Sequence, residues 1–161
     1  MSDEDTRVSL DAIRRIVHSL RSPGGPASKR LGPARLFVLH ALAETPDQSL
    51  GELATRTRTE ASSVSVVIRH LVSAGYATRT KSVSDARRAV LRLTTAGRAV
   101  VRRAPVAPQE RLFAALDALA KPKQTQLARL LTQVVEGMGL DATTPALFFE
   151  APAARATRSR V

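Results

Sequence analysis

Ser62, Ser63, Ser65, Val66 and Arg69 are the residues of this chain whose types and spacing could do chemistry together. At about 100° per residue, Ser62, Val66, Arg69 and Ser73 run along the centre of one helix face. Ser65 lies on one flank, with Ser63 and His70 on the other. A hydroxyl donates and accepts, and a guanidinium offers a planar fork of donors. A face this narrow could enter a major groove. There serine could bond phosphates or base edges, valine could touch a thymine methyl, and arginine could grip guanine or phosphate. The plainer alternative is a solvated helix face. A second set follows at once: Arg79, Lys81, Arg87, Arg88 and Arg92, with Asp85 as the one acid in their hairpin. Cations so spaced suit a run of phosphates.

The elements needed to position these residues can be read from the same stretch. Ser49 with Glu52 three residues on is a capping-box pattern, and Leu50, Leu53 and Ala54 recur at helical spacing behind it. Arg56–Thr59 is short and polar and reads as a turn. A second helix spans about Glu60 to Ala74, with Val64, Val67, Ile68, Leu71 and Val72 on its apolar face and Gly75 at its end. Tyr76–Lys81 reads as a strand and Ser82–Arg87 as a turn. Ala89, Leu91 and Leu93 then alternate with Val90, Arg92 and Thr94 as a second strand. A turn-linked helix pair followed by a basic hairpin is the layout of a winged helix-turn-helix. The expected fold is therefore mainly α with a small β wing.

The ordered set of motifs resembles the MarR (multiple antibiotic resistance regulator) family. It comprises Glu52-Leu53-Ala54, Ser62/Ser63-Val64-Ser65, Leu71 to Gly75-Tyr76 with Arg79, Asp85-x-Arg87, and Leu93-Thr94 with Gly97. The likeness extends upstream to Leu31–Leu42 and, more loosely, to the helices on both sides. It implies a transcription regulator, a repressor, that binds a pseudo-palindromic operator on double-stranded DNA as a homodimer. It also implies Asp85 pairing with Arg87 or a neighbouring arginine at the wing. In many relatives a small aromatic or phenolic effector binds between the dimer helices and the reader. Many relatives carry arginine directly after the reading-helix Val-Ser pair, where this chain has Val66, so base preference does not carry over.

On this reading Ser62, Ser63, Ser65, Val66 and Arg69 face bases or adjacent phosphates, and Arg79, Lys81, Arg88 and Arg92 contact phosphates. The charge agrees. Residues 49–103 hold eleven Lys and Arg against three Asp and Glu, and the rest of the chain fourteen against eleven. Most of the net +11 thus sits on the proposed reader and wing. The alternative reading is a sequence-tolerant architectural DNA-binding protein that uses charge without base readout, to which a basic tail would be suited.

Around this core, with winged-helix residues 31–100, the pattern predicts flanking dimerisation helices over 8–21 and 101–149, all in a single domain. Leu10, Ile13, Ile16, Val17 and Leu20 make the first amphipathic, before a break at Ser22–Ser28. Thr94 or Thr95 caps a helix starting at Ala96, and Pro105 and Pro108 should break it. Gln109–Ala120 resumes, and Pro122 should open a last helix with the stripe Leu127, Leu130, Leu131, Val134, Val135 and Met138. Leu147, Phe148 and Phe149 are expected to pack somewhere, and Ala151–Val161 reads as a mobile basic tail.

No catalytic constellation is legible. His18, His40 and His70 fall on different predicted helices, without a second ligand at metal spacing. Glu110 and Asp117 read as solvated helix charges. The chain has no cysteine, so no disulfide framework or thiolate site. No enzyme activity, cofactor or metal is expected. The acidic start without an apolar core, and the lack of an 18-residue apolar run, suggest a cytoplasmic protein.

Overall fold

Leu36, Val38, Leu39 and Leu42 make one helix apolar on nearly every side, and the remaining elements collect around it. The computed structural model describes residues 3–21, 31–82, 88–140 and 147. In chain order these form α1 (Asp3–Arg21), α2 (Pro33–Glu44), α3 (Leu50–Thr57), α4 (Ala61–Ser73), β1 (Ala77–Lys81), β2 (Ala89–Leu93), α5 (Thr95–Arg103), α6 (Pro108–Asp117) and α7 (Lys121–Gly137). Helix α2 is the hub, touching α3, α4, α5, α6 and β2. It buries Phe37 and Ala41 as well as the leucines. Leu53, Val64, Val67, Leu71, Leu91 and Leu147 join the same core.

Local signals place the element ends. Ser49 accepts from the Glu52 amide while the Glu52 carboxylate accepts from the Ser49 amide at 2.7 Å, completing the capping box. Helix α4 ends in a Schellman motif. Gly75 adopts φ 75°, its amide donates to the Val72 carbonyl, and the Tyr76 amide donates to the Leu71 carbonyl at 2.9 Å. Thr94 caps α5, accepting from the Gly97 amide at 3.1 Å and donating to the Gly75 carbonyl at 2.7 Å. The chain breaks between Arg103 and Pro108, and Pro108 opens α6.

Several expectations shift. Helix α1 starts at Asp3, not near Val8, because Asp3, Glu4 and Asp5 suit the positive end of a helix dipole. Helix α2 starts at Pro33 rather than Leu31, proline fitting a first turn. Helix α3 runs through Thr57, whose buried hydroxyl donates to the Leu53 carbonyl at 2.8 Å, so the turn shrinks to Arg58–Glu60. Pro122 stands second in α7, after Lys121. Val72, placed on the core face by its periodicity, is 38% exposed. Val90 is buried although it alternates with the buried Leu91. Asp85, Arg87, the Ser22–Ser28 break, Phe148, Phe149 and the Ala151–Val161 segment lie outside the described residues. No helix among the described residues is long and apolar enough to cross a membrane.

The two strands pair antiparallel, Ala77 opposite Leu93 through Lys81 opposite Ala89. On the far side of β2, the Leu91 amide donates to the Gln48 carbonyl at 2.9 Å. A close approach lies just beyond. A Cβ on Gly97 would sit 2.1 Å from the Tyr76 carbonyl oxygen, a backbone atom with no rotamer to yield. Gly97→Ala should therefore destabilise the protein by at least about 1–3 kcal/mol. A thermal melt checks this, and an unchanged Tm would mean that α5 can shift away freely.

Candidate nucleic-acid interface

The helix pair α3–α4 is joined by Arg58, a non-glycine residue at φ 52°. Its left-handed turn aims α4 across α3. Helix α4 then buries Val64, Val67, Ile68 and Leu71. That packing leaves the opposite face outward: Ser62 and Arg69 are exposed, and Ser63, Ser65 and Val66 half-buried. The five residues do share one surface, with no bulky side chain but Arg69.

The strand register divides the wing's cations. Residues directly opposite in an antiparallel pair share a face. Arg79 pairs with Leu91 and Lys81 with Ala89 on one side, while Arg92 pairs with Thr78 on the other. The Arg79 side turns toward α4. Between them lies a groove of about 320 Å³, with Ile68, Val72 and Leu91 as its floor and Ser65, Arg69 and Arg79 at its mouth. Val72 is exposed because it lines this groove rather than the core. Arg69 and Arg79 thus stand together at this groove beside the small-residue face, and Lys81 follows Arg79 on the same side of the strand.

Arg88 and Arg92 are engaged elsewhere. Arg88 donates to the Glu52 carboxylate, and Arg92 holds Asp47 with two nitrogens, its Nη2 2.9 Å from Oδ2. The Ser49 amide and hydroxyl, and after them Arg88, hold the Glu52 carboxyl down at about 2, while Arg92 holds the Asp47 carboxyl below its usual range. Sequence reasoning missed Asp47 and Glu52 as partners because each lies far from its arginine along the chain. It also missed Arg35, whose Nη2 stands 3.3 Å from His70 Nδ1 on the flank of α4. A lone cation in the apolar α2 was the available signal.

Away from this face, α6 corrects another expectation. Glu110 is not a solvated helix charge. Its Oε1 lies 3.4 Å from His40 Nδ1 with both side chains mostly covered, and Gln109 beside it is 1% exposed. Burial pushes the Glu110 carboxyl up to about 7, with the Glu44 carboxylate adding to the shift. Burial lowers His40, against the opposing pull of Glu44. Both shifts favour neutral forms, which fits a covered pair whose 3.4 Å approach is not a hydrogen bond and whose His40 Nε2 has no partner among the described residues. Asp117 is the ion partner of Arg58 at 2.6 Å, and the Arg58 guanidinium lies 4.7 Å over the Phe113 ring. Among the described residues, no three His, Asp or Glu gather to hold a metal.

Comparison with known proteins agrees with this geometry. Residues 31–88 match the model of the MarR family. An HTH-type transcriptional repressor of Mycobacterium tuberculosis is 31% identical over 96 residues, covering 60% of this chain and 69% of the relative. The chain belongs to the MarR family. Solved structures show the same fold. BpsR of Bordetella bronchiseptica, whose DNA binding is regulated by 6-hydroxynicotinic acid, is 22% identical with a TM-score of 0.52, covering 82% of this chain and 98% of that one. FabT of Streptococcus pneumoniae, in complex with DNA, is 17% identical with a TM-score of 0.50, covering 86% and 98%. The protein is a MarR-family transcriptional regulator with a winged helix-turn-helix fold.

The Glu110 environment in this MarR-family chain gives a signed test. A carboxyl raised in the folded state contributes stability that is fully present below about 4.5 and lost as pH rises through about 7. His40 acts with the opposite sign, since a lowered histidine adds stability as pH rises toward 6.5. Glu110→Gln removes only the first effect. The Tm of the variant minus that of the native protein should become more positive between pH 4.5 and 7. A difference that stays flat across this window would show that Glu110 titrates normally.

Proposed function

We propose that this chain is a homodimeric repressor that reads a pseudo-palindromic operator. The supporting observation is the α4 face, lined by small residues opposite its buried side, with Arg69 and Arg79 at the adjoining groove and Lys81 on the same strand face as Arg79. Ser62, Ser63, Ser65, Val66 and Arg69 face base edges or adjacent phosphates in a major groove. Arg79 and Lys81 contact backbone phosphates beside it. The family resemblance adds Arg87, paired with Asp85, as a further phosphate contact.

The apolar surface supports two copies. Helix α1 buries only Leu20 and leaves Ile13 and Ile16 exposed. Helix α7 buries nothing and exposes Leu130, Leu131 and Val134. Two such faces on one chain are more apolar than a helix facing only water requires. Pairing them across a twofold axis presents two copies of α4 to successive major grooves, about 34–36 Å apart. An aromatic or phenolic effector of the kind the family resemblance implies would act by changing that separation.

Light scattering at micromolar concentration should return twice the chain mass. A monomer persisting to high concentration would defeat the two-reader arrangement. Arg79→Ala should weaken binding to all duplexes and lower the salt slope by about one per subunit. Arg69→Ala or Ser65→Ala should instead cost sites selected from a random pool roughly 1–3 kcal/mol more than random duplex. Equal losses on both DNAs would favour a sequence-tolerant architectural role.

A further inference from the structure

We propose that Asp47 and Glu52 set the specificity of the DNA face by withholding Arg92 and Arg88 from phosphates. The inference rests on the reading of this face as a DNA-binding surface. Charge alone attracts a duplex in any register, so a cation freed away from the bases adds phosphate contacts on random sequence that an operator complex, held in one register by its base contacts, does not gain equally. Of the wing's described cations, Arg79 and Lys81 have no partner among the described residues, while Arg88 and Arg92 each hold a carboxylate.

The two acids are built into the helix-turn-helix rather than carried by the wing. Asp47 occupies the turn after α2 at φ 64°, in the left-handed region. Its neighbour Gln48 is buried, donating through Nε2 to the Ala41 carbonyl at 2.9 Å and the Thr45 carbonyl at 2.8 Å. The Gln48 carbonyl receives the Leu91 amide of β2, so Asp47 is fixed one residue from the strand that carries Arg92. Glu52 is fixed by its capping box, its Oε2 accepting from the Ser49 amide at 2.7 Å and the Ser49 hydroxyl at 2.8 Å as well as from Arg88.

Stability does not account for the pairs. All four side chains are about half exposed, and exposed ion pairs contribute little to folding. Their effect is on the field outside: they cancel two charges at the wing's flank and leave the uncompensated cations beside α4. The arrangement confines attraction to the place where bases can also be read.

The test uses Asp47→Asn and Glu52→Gln in the full chain. Asparagine tolerates the left-handed turn, and glutamine can still complete a capping box, so each variant removes charge while keeping local structure. Thermal melts confirm folding. Binding is measured against random duplex and against a site selected from a random pool by the native protein, over a range of salt. On random duplex, each variant should steepen the slope of log K against log salt by about 0.9 per subunit, as one arginine per subunit gains a phosphate. The ratio of selected-site to random affinity should fall about threefold or more. Adding Arg92→Gln to Asp47→Asn, or Arg88→Gln to Glu52→Gln, should return the slope to the native value. Slopes unchanged in the single variants, or weaker binding to both duplexes, would overturn the proposal. A native protein that binds neither duplex would instead remove the DNA-binding reading beneath it.

Discussion

Gln48 holds together the parts on which the rest of the structure depends. Its side-chain amide closes the C-terminal end of α2 on two carbonyls, and its backbone carbonyl receives the Leu91 amide of β2. A two-stranded hairpin alone is marginal in water. This third rung fixes the wing to the turn that launches α3, while Leu91 and Leu93 join the core beside α2. A buried amide left without these partners would carry a desolvation cost. The wing's position is therefore set by a polar contact at one edge and apolar packing along one face, and both arise from the same strand.

A second set of contacts joins α6 to this core. Arg58, in its left-handed turn between α3 and α4, pairs with Asp117 and stacks over Phe113. Phe113 meets Phe37 of α2 edge-on, with centroids 5.5 Å apart. Glu110 covers His40 on the same helix. A shift of α6 is thus felt at the turn that aims α4. In this MarR-family chain the linkage ties α6 to the orientation of α4 without passing through the wing.

The parts of the fold legible in the sequence were those governed by neighbours. The Ser49–Glu52 box, the Gly75 helix end and the break before Pro108 each depend on residues a few positions apart and stand where the pattern placed them, and of the two threonines offered as the next cap it is Thr94, with α5 starting at Thr95 rather than Ala96. The α4 face was legible for the same reason, since a 3.6-residue period separates buried from outward residues. Val72 failed because what lies beside it is the wing, which the period of its own helix does not reveal. Glu110 failed because the chain brings His40 against it from a distant helix. Asp47 and Glu52 were visible as residues but not as partners. An ion pair between segments far apart in sequence leaves no local pattern. Whether Arg88 or Arg92 is free depends on packing that composition does not encode.

The division of labour on α4 has an evolutionary consequence. Val64, Val67 and Leu71 are fully buried, whereas Ser62 and Arg69 are exposed. Substitutions on the two sides are therefore nearly independent. Lineages descended from this chain can exchange the outward residues without eroding thermal stability, so duplicated copies are free to diverge in preference while sharing one scaffold. The acids at positions 47 and 52 stand outside that drift, since the local turn and cap they make are tied to the frame and not to any particular sequence of bases.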